Sequence, residues 1–373
     1  MSSADFTVNG TMASDLPPLP GYDVKPMPDF LPWISDFWLS IVAPHIVYWV
    51  ISGFFHLIDV FDLFPQYRLH TPEEISQRNL ATRWQVARDV IVEQVIQMFT
   101  AAVLSLTDPV QMTGMEGYDV AVWATRIRLA QRSVPTLLGL LGLNAAAISK
   151  NMSASHPLLA GALAGGHYPF LTSLDAASAA SVPAFATWEM LLAKAIYWLV
   201  IPGFQMWVAV VFLDSWQYFW HRAMHVNKWM YTHWHARHHR LYVPYAFGAL
   251  YNHPVEGFVL DTAGAGLAYK ISMMSPRMGI VFYVCSTMKT VDDHCGYALP
   301  FDPLQRITSN NATYHDIHHQ SWGIKTNFSQ PFFTVWDKWL GTMWQGDTSL
   351  KYERTRENAK LKSEKKGASA KAQ

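Results

Sequence analysis

From residue 37 to residue 58 the chain runs 22 residues without a charged side chain, bounded by Asp36 and Asp59. A helix of that length covers roughly 30 Å of hydrocarbon, so the stretch predicts a membrane span. A polar helix start follows at Thr71-Pro72-Glu73-Glu74: threonine is placed to cap, proline takes the first helical position, and Glu74 closes a capping box. The predicted helix carries Arg78, Arg83, Arg88 and Glu93 and runs on into an apolar segment over 94–107, which is short for a span. Over 110–187 the pattern changes. Gly, Ala, Ser and Pro dominate and the hydrophobic runs break up, which marks an insert, partly helical around 121–132. A further uncharged stretch over 195–213 predicts another span, kinked at Pro202-Gly203, and continues as helix through Asp214 to His221. Two shorter apolar runs, 257–269 and 278–288, joined by the turn-like Met274-Ser-Pro-Arg277, read as a helical hairpin that enters the membrane and returns, leaving both its ends on one face.

These patterns divide the chain into a proline-rich arm (1–36), membrane helices (37–109), an insert of open role (110–187), a catalytic region (188–350) and a charged, disordered tail (351–373). The arm holds Leu16-Pro-Pro-Leu-Pro20 and Lys25-Pro-Met-Pro28 and lacks the basic-then-apolar order of a signal peptide. The tail is rich in Lys and Glu and poor in apolar residues.

Composition sharpens this picture in three ways. Lys and Arg number 28 against 28 Asp and Glu, and that balance argues against a nucleic-acid partner, which leaves a basic footprint. Charged residues make up 15% of the chain and apolar ones 50%, less charged than a soluble domain, and the 14% of aromatic residues suits membrane interfaces. Two cysteines, Cys285 and Cys295, make neither a disulfide framework nor a zinc-thiolate site.

The chemistry lies in the histidines. Eight fall in three tight boxes: His221-Arg-Ala-Met-His225, His235-Ala-Arg-His238-His239 and His315-Asp-Ile-His318-His319. On a helix, positions three or four apart share a face, so each box is expected to aim its imidazoles at one point. One such box is weak evidence, because a pair at this spacing is often a surface accident, but three in order are not. A structural zinc site would want four ligands, commonly thiolates. A zinc hydrolase would carry a glutamate inside its His-x-x-x-His box, and none is present. Two roughly octahedral metal ions suit the number of imidazoles best. Asp214, Asp292, Asp293 and Asp316 are candidates for orienting ligands and balancing charge. His253, in Tyr251-Asn-His-Pro-Val-Glu256, and His294, in Asp292-Asp-His-Cys-Gly296, stand near the ends of the hairpin, where either could face the cluster.

The order HxxxH, HxxHH, HxxHH in a multi-span chain resembles the membrane fatty acid hydroxylase / sterol desaturase superfamily. Within it, Lys289-Thr-Val-Asp-Asp-His-Cys-Gly-Tyr-Ala-Leu-Pro300 is similar to sphingoid-base C4-hydroxylases, as are Asn311-Ala-Thr-Tyr-His-Asp-Ile-His-His-Gln320 and Gly323-Ile-Lys-Thr-Asn-Phe-Ser-Gln-Pro-Phe-Phe333. The resemblance is loose over 36–107 and close over 190–350. It implies an all-α, multi-span membrane helical bundle with a cytosolic histidine-rich cap holding two iron ions. It further implies an endoplasmic reticulum enzyme using O2 and electrons from NAD(P)H relayed by a reductase and a b5-type cytochrome. His221, His225, His235, His238, His239, His253, His294, His315, His318 and His319 are then the metal ligands, with no catalytic residue beyond them. The implied substrate is a sphingoid base or ceramide. Two departures stand out: the 110–187 insert is without counterpart in the shorter relatives, and Ala298 stands where fatty acid hydroxylases place a further histidine.

An unactivated methylene cannot be deprotonated, so the chemistry expected is oxidation, with the protein holding the carbon at the metal and excluding water. Residues 208–219 and 280–284 are candidate tunnel walls. A sterol C5-desaturase or C4-methyl sterol oxidase would use the same boxes on a rigid ring system. A membrane metal transporter would place histidines within its spans or in flexible loops, and here the boxes follow the spans. Loss of His318 or His319 is expected to abolish activity, and Gln320, outside the ligand positions, is expected to tolerate alanine.

Overall fold

A computed structural model describes residues 16–174 and 180–371. The first fifteen residues of the proline-rich arm and the last two of the tail lie outside the described residues. The described chain is mostly helical, with two short two-stranded ladders. It divides into two compact units: Met1–Pro28 with Pro109–Phe204, and Asp29–Asp108 with Gln205–Gln373. The expected boundaries change accordingly. The start of the arm belongs with the insert, because Lys25–Pro26 pairs antiparallel with Met112–Thr113. Gly114 makes that closeness possible: its φ is +105°, and a Cβ there would stand 2.0 Å from the Asp23 carbonyl oxygen.

In this first unit the insert is more helical than its broken pattern suggested, with Glu116–Gln131, Val134–Leu140, Ala145–Met152 and Pro157–Leu163 ahead of Thr187–Ala195. Val120, Ala124 and Ala193 form its small core. Beside them the buried Arg128 guanidinium forks onto Glu189, which also accepts from Gln131 Nε2 at 2.6 Å. A buried carboxylate needs such donors, having lost water.

In the second unit, helix Asp36–Val60 begins at Ser35 and packs on helices Pro276–Asp293 and Arg83–Ser105. Thr71 does close the capping box with Glu74, yet the helix it opens ends at Arg78. Asn79 turns the chain out by exchanging hydrogen bonds with Val243, and Thr82 with Gln85 caps a new helix, Arg83–Ser105, whose second half is the 94–107 run. Two helices among the described residues are long and apolar enough to cross a membrane, Asp36–Val60 and Thr187–Val226. The hairpin is present, as Pro254–Ser272 followed by Pro276–Asp293, with its turn set by the left-handed Met273 (φ 53°). Its arms do not meet that length-and-apolarity standard: one carries Glu256, Asp261 and Lys270, and the other Arg277, Lys289, Asp292 and Asp293. Pro202 does not break its helix. The turn before it, Ile196–Val200, widens to a π-helix, which accommodates the missing N–H and the ring. The tail is also corrected: Ser349–Lys371 is helical, mostly exposed, and lies against Pro72–Arg78.

Candidate metal centre

Helix Ile201–Val226 carries His221 and His225 one turn apart near its end. The second box is a 3-10 turn, His235–Arg240, rather than an α-helix. The third occupies helix Ala312–His319, started by the Asn311 side chain, which accepts from Tyr314 N at 3.0 Å. His294 ends helix Pro276–Asp293.

These four elements bring nine imidazoles into two groups. His221, His225, His235, His239 and His318 form one; His238, His294, His315 and His319 form the other, and within each the ligand atoms lie within 4.8 Å of one another. Each HxxHH box therefore splits between the groups, contrary to the expectation that a box aims at one point. Adjacent residues such as His238 and His239 point about 100–120° apart on a helical turn, so they cannot share a focus. His253 joins neither group. It is half-buried and caps the helix Pro254–Gly257, its Nδ1 accepting from Val255 N at 3.2 Å. His233, between the first two boxes, is exposed and bonds the Trp229 carbonyl.

The rings are held in one orientation. The Nδ1 atoms of His221, His294, His318 and His319 lie 2.9, 2.8, 2.7 and 2.9 Å from the carbonyl oxygens of Phe328, Thr290, Thr326 and Leu241. A carbonyl only accepts, so each Nδ1 carries the proton and each Nε2 presents a lone pair. His238 does the same towards Tyr251 at 3.3 Å, and His235 towards the Glu256 carboxylate. Burial pushes the imidazoles of His235, His238 and His294 down to about 3, so they are neutral at pH 7. Inside the groups the Nε2 atoms crowd together: His225 and His235 at 2.6 Å, His235 and His239 at 2.9 Å, His294 and His315 at 3.0 Å, His315 and His319 at 3.1 Å. The buried His318 Nε2 has no partner at all. Converging lone pairs repel unless a cation lies among them. The donor set is all imidazole, with no thiolate, and it fits two divalent transition-metal ions.

None of the four aspartates expected to support the ligands touches a box histidine. Asp214 instead accepts from Phe332 N and Phe333 N, and Asp292 from Gln305. Asp293 pairs with the fully buried Lys289, and Asp316 faces His70 at 2.9 Å. The acid that does orient a ring is Glu256, which the sequence reading quoted only as a neighbour of His253. The signal for it was faint: an acid in the first turn of a short helix, three residues past a histidine.

Two neighbouring cavities complete the site. One, of about 120 Å³, is walled by apolar side chains of Ile41, Pro44, Leu104, Leu213 and Tyr283, so the candidate walls over 208–219 and 280–284 supply only part of it. The other, of about 20 Å³, is lined by His221, His235, His238, His294 and His315. Gln217, Asp261, Thr290 and Pro331 line both.

The family model described as fatty acid hydroxylase matches residues 206–342, which include every residue of both histidine groups. Sphingolipid C4-hydroxylase SUR2 of Saccharomyces cerevisiae is 41% identical over 88% of this chain and 77% of its own length. Sphinganine C4-monooxygenase 1 of Arabidopsis thaliana is 37% identical over 83% of the chain and 88% of its own. A rice protein (Oryza sativa) called very-long-chain aldehyde decarbonylase GL1-9 is 34% identical over 84% and 92%. No solved structure matches. With two imidazole groups of this geometry inside the matched segment and such identity over most of the chain, the protein belongs to the fatty acid hydroxylase family.

Proposed function

We propose that this chain is a membrane monooxygenase that hydroxylates C4 of a saturated sphingoid base, free or within a ceramide, in sphingolipid synthesis. The observation that carries the reading is the pair of all-imidazole groups bordering a chamber that shares lining residues with a largely apolar cavity. High identity to relatives named for C4 hydroxylation supports the substrate class.

The nine histidines named above would hold two iron ions, five on one and four on the other. With O2 and electrons from NAD(P)H passed on by a b5-type cytochrome, that iron would supply the oxidising power an unactivated methylene requires. The chain's own share is positional. Backbone carbonyls of Phe328, Thr290, Thr326 and Leu241 pin the rings, and Glu256 accepts the Nδ1 proton of His235, which raises the donor strength of its Nε2. The apolar cavity holds the hydrocarbon chain and keeps water from it. The reading sets the enzyme in the endoplasmic reticulum membrane as a multi-span bundle whose histidine cap faces the cytosol, in line with the lysine-rich tail after Lys351 and the positive-inside tendency.

The deciding experiment is expression in cells that lack C4-hydroxylated bases, followed by lipid mass spectrometry. Appearance of 4-hydroxysphinganine or its ceramide is expected. Altered sterols, or long-chain aldehydes converted to hydrocarbons one carbon shorter, with unchanged sphingoid bases would hand the function to a sterol oxidase or a decarbonylase.

Metal content follows independently. Purified protein reconstituted anaerobically is expected to bind about two irons per chain and to lose activity when zinc takes their place, since zinc competes well for imidazole but has no redox chemistry. Full activity with zinc and none with iron would end the proposal.

A further inference from the structure

The insert presents apolar side chains on a segment almost without charge. Over residues 133–174 the only charged side chain is Lys150, where a soluble domain would carry roughly one charge in four residues. Leu137, Leu140 and Leu141 are 55%, 79% and 75% exposed. Their spacing along Val134–Leu140 and the residue that ends it puts them on one face. Leu158 and Leu159, on Pro157–Leu163, are exposed as well. Single surface leucines need no explanation, but a face of them without interspersed charge marks a surface that something covers.

The attachment of this lobe narrows what the cover can be. Tyr168 donates to Gln131 Oε1 at 2.6 Å, and its ring faces the Arg128 guanidinium at 4.4 Å. Arg128 and Gln131 in turn hold Glu189, on Thr187–Ala195. The leucine-bearing lobe is therefore pinned to the first turns of the helix Thr187–Val226, which is long and apolar enough to cross a membrane. A bilayer that receives that helix lies within reach of the lobe. The lobe's own helices cannot cross it: seven or eight residues reach about 10–12 Å of the roughly 30 Å required. A protein partner fits less well, because its interface would ring an apolar centre with polar and charged groups, and this segment offers one lysine. Resting on the membrane reading above, we propose that the insert docks on a lipid surface. The face of Leu137, Leu140 and Leu141 sinks among the headgroups and upper acyl chains, and the polar run 150–156 stays in water. The lobe is thus an anchor that lies in the membrane without crossing it.

The test uses the full chain in phosphatidylcholine bilayer discs, one chain per disc, with Cys285→Ser removing the exposed native thiol. A nitroxide is attached at Leu140→Cys, Ser153→Cys or Phe204→Cys. Its relaxation by oxygen, which concentrates in lipid, is compared with that by a water-soluble nickel chelate. The label at Leu140→Cys is expected to favour oxygen, at a depth of roughly 5–10 Å below the lipid phosphates. The label at Ser153→Cys is expected to favour nickel. Leu137→Cys, on the same face, takes the place of Leu140→Cys if that variant does not accumulate. Free access of nickel to the Leu140→Cys label overturns the inference. So does a label there shielded from both agents, since protein would then cover it, and spin–spin broadening when two chains share a disc would assign the face to a second copy. Phe204→Cys lies midway along the uncharged stretch 195–213 and reports the span itself. Nickel at that label would bring down the membrane reading, and this inference with it. Oxygen there, with nickel at Leu140→Cys, would leave the membrane reading standing and sink this inference alone.

Discussion

Replacing His318 with alanine is expected to bring 4-hydroxysphinganine below detection in cells that accumulate the protein normally. His318 is fully buried, its Nδ1 donates to the Thr326 carbonyl at 2.7 Å, and its Nε2 has no partner in the protein. The ring is therefore committed to whatever lies among His221, His225, His235 and His239. Residues that only orient a ligand cost about 10- to 100-fold when lost, so removing the ligand itself should cost more. Protein level by blot and product by mass spectrometry decide the matter, and a normal product level from the well-expressed variant would remove His318 from the site. Gln320, expected from the sequence to tolerate alanine, is no suitable control. It is fully buried, donating to the Tyr242 carbonyl at 2.8 Å while accepting from Arg78 at 2.5 Å. The exposed Ser321 is the better neighbour, and Ser321→Ala should leave product near wild type.

His70→Ala is expected to destabilise the fold by roughly 3–5 kcal/mol, the cost of leaving buried charges without their partner. Nδ1 of His70 faces Glu74 at 3.0 Å and Nε2 faces Asp316 at 2.9 Å, so both nitrogens must donate and the ring is an imidazolium. Burial alone would push its pKa down, yet the carboxylates of Asp316 and Glu74 overrule it and raise the value to about 9. Because the folded pKa lies above the unfolded 6.5, the stabilisation is complete below pH 6.5 and disappears as pH rises through about 9. Thermal unfolding in detergent should show a wide gap between wild type and variant at pH 6 that narrows by pH 10. A gap that does not change with pH would mean the ring is neutral. The same cluster ties in the tail, since Tyr352 donates to Asp316 at 2.5 Å, within the third histidine box.

Much of the candidate site was legible because clustered histidines leave a local trace. Histidines three or four apart announce a shared helical face, and the boxes identified eight of the nine imidazoles now brought together. His294 required the resemblance, because a lone histidine has no spacing to read. The same resemblance drew in His253, whose ring caps a helix instead. The capping box at Thr71 and the apolar stretch over 37–58 were legible for the same reason: both are decided within one helix.

Three things the tertiary structure alone decided: the division of each HxxHH box between two groups, the choice of Glu256 over four aspartates, and the burial of His70 against Asp316. His70 and Asp316 stand 246 residues apart, and His235 and Glu256 stand 21 apart. By itself, then, the sequence determined which residue type the candidate metal centre is built from and which stretches are helical and apolar, because periodicity and capping act within a turn or two. Which side chains finally meet depends on how separate helices pack, and that is set by the sum of many long-range contacts that no local spacing records.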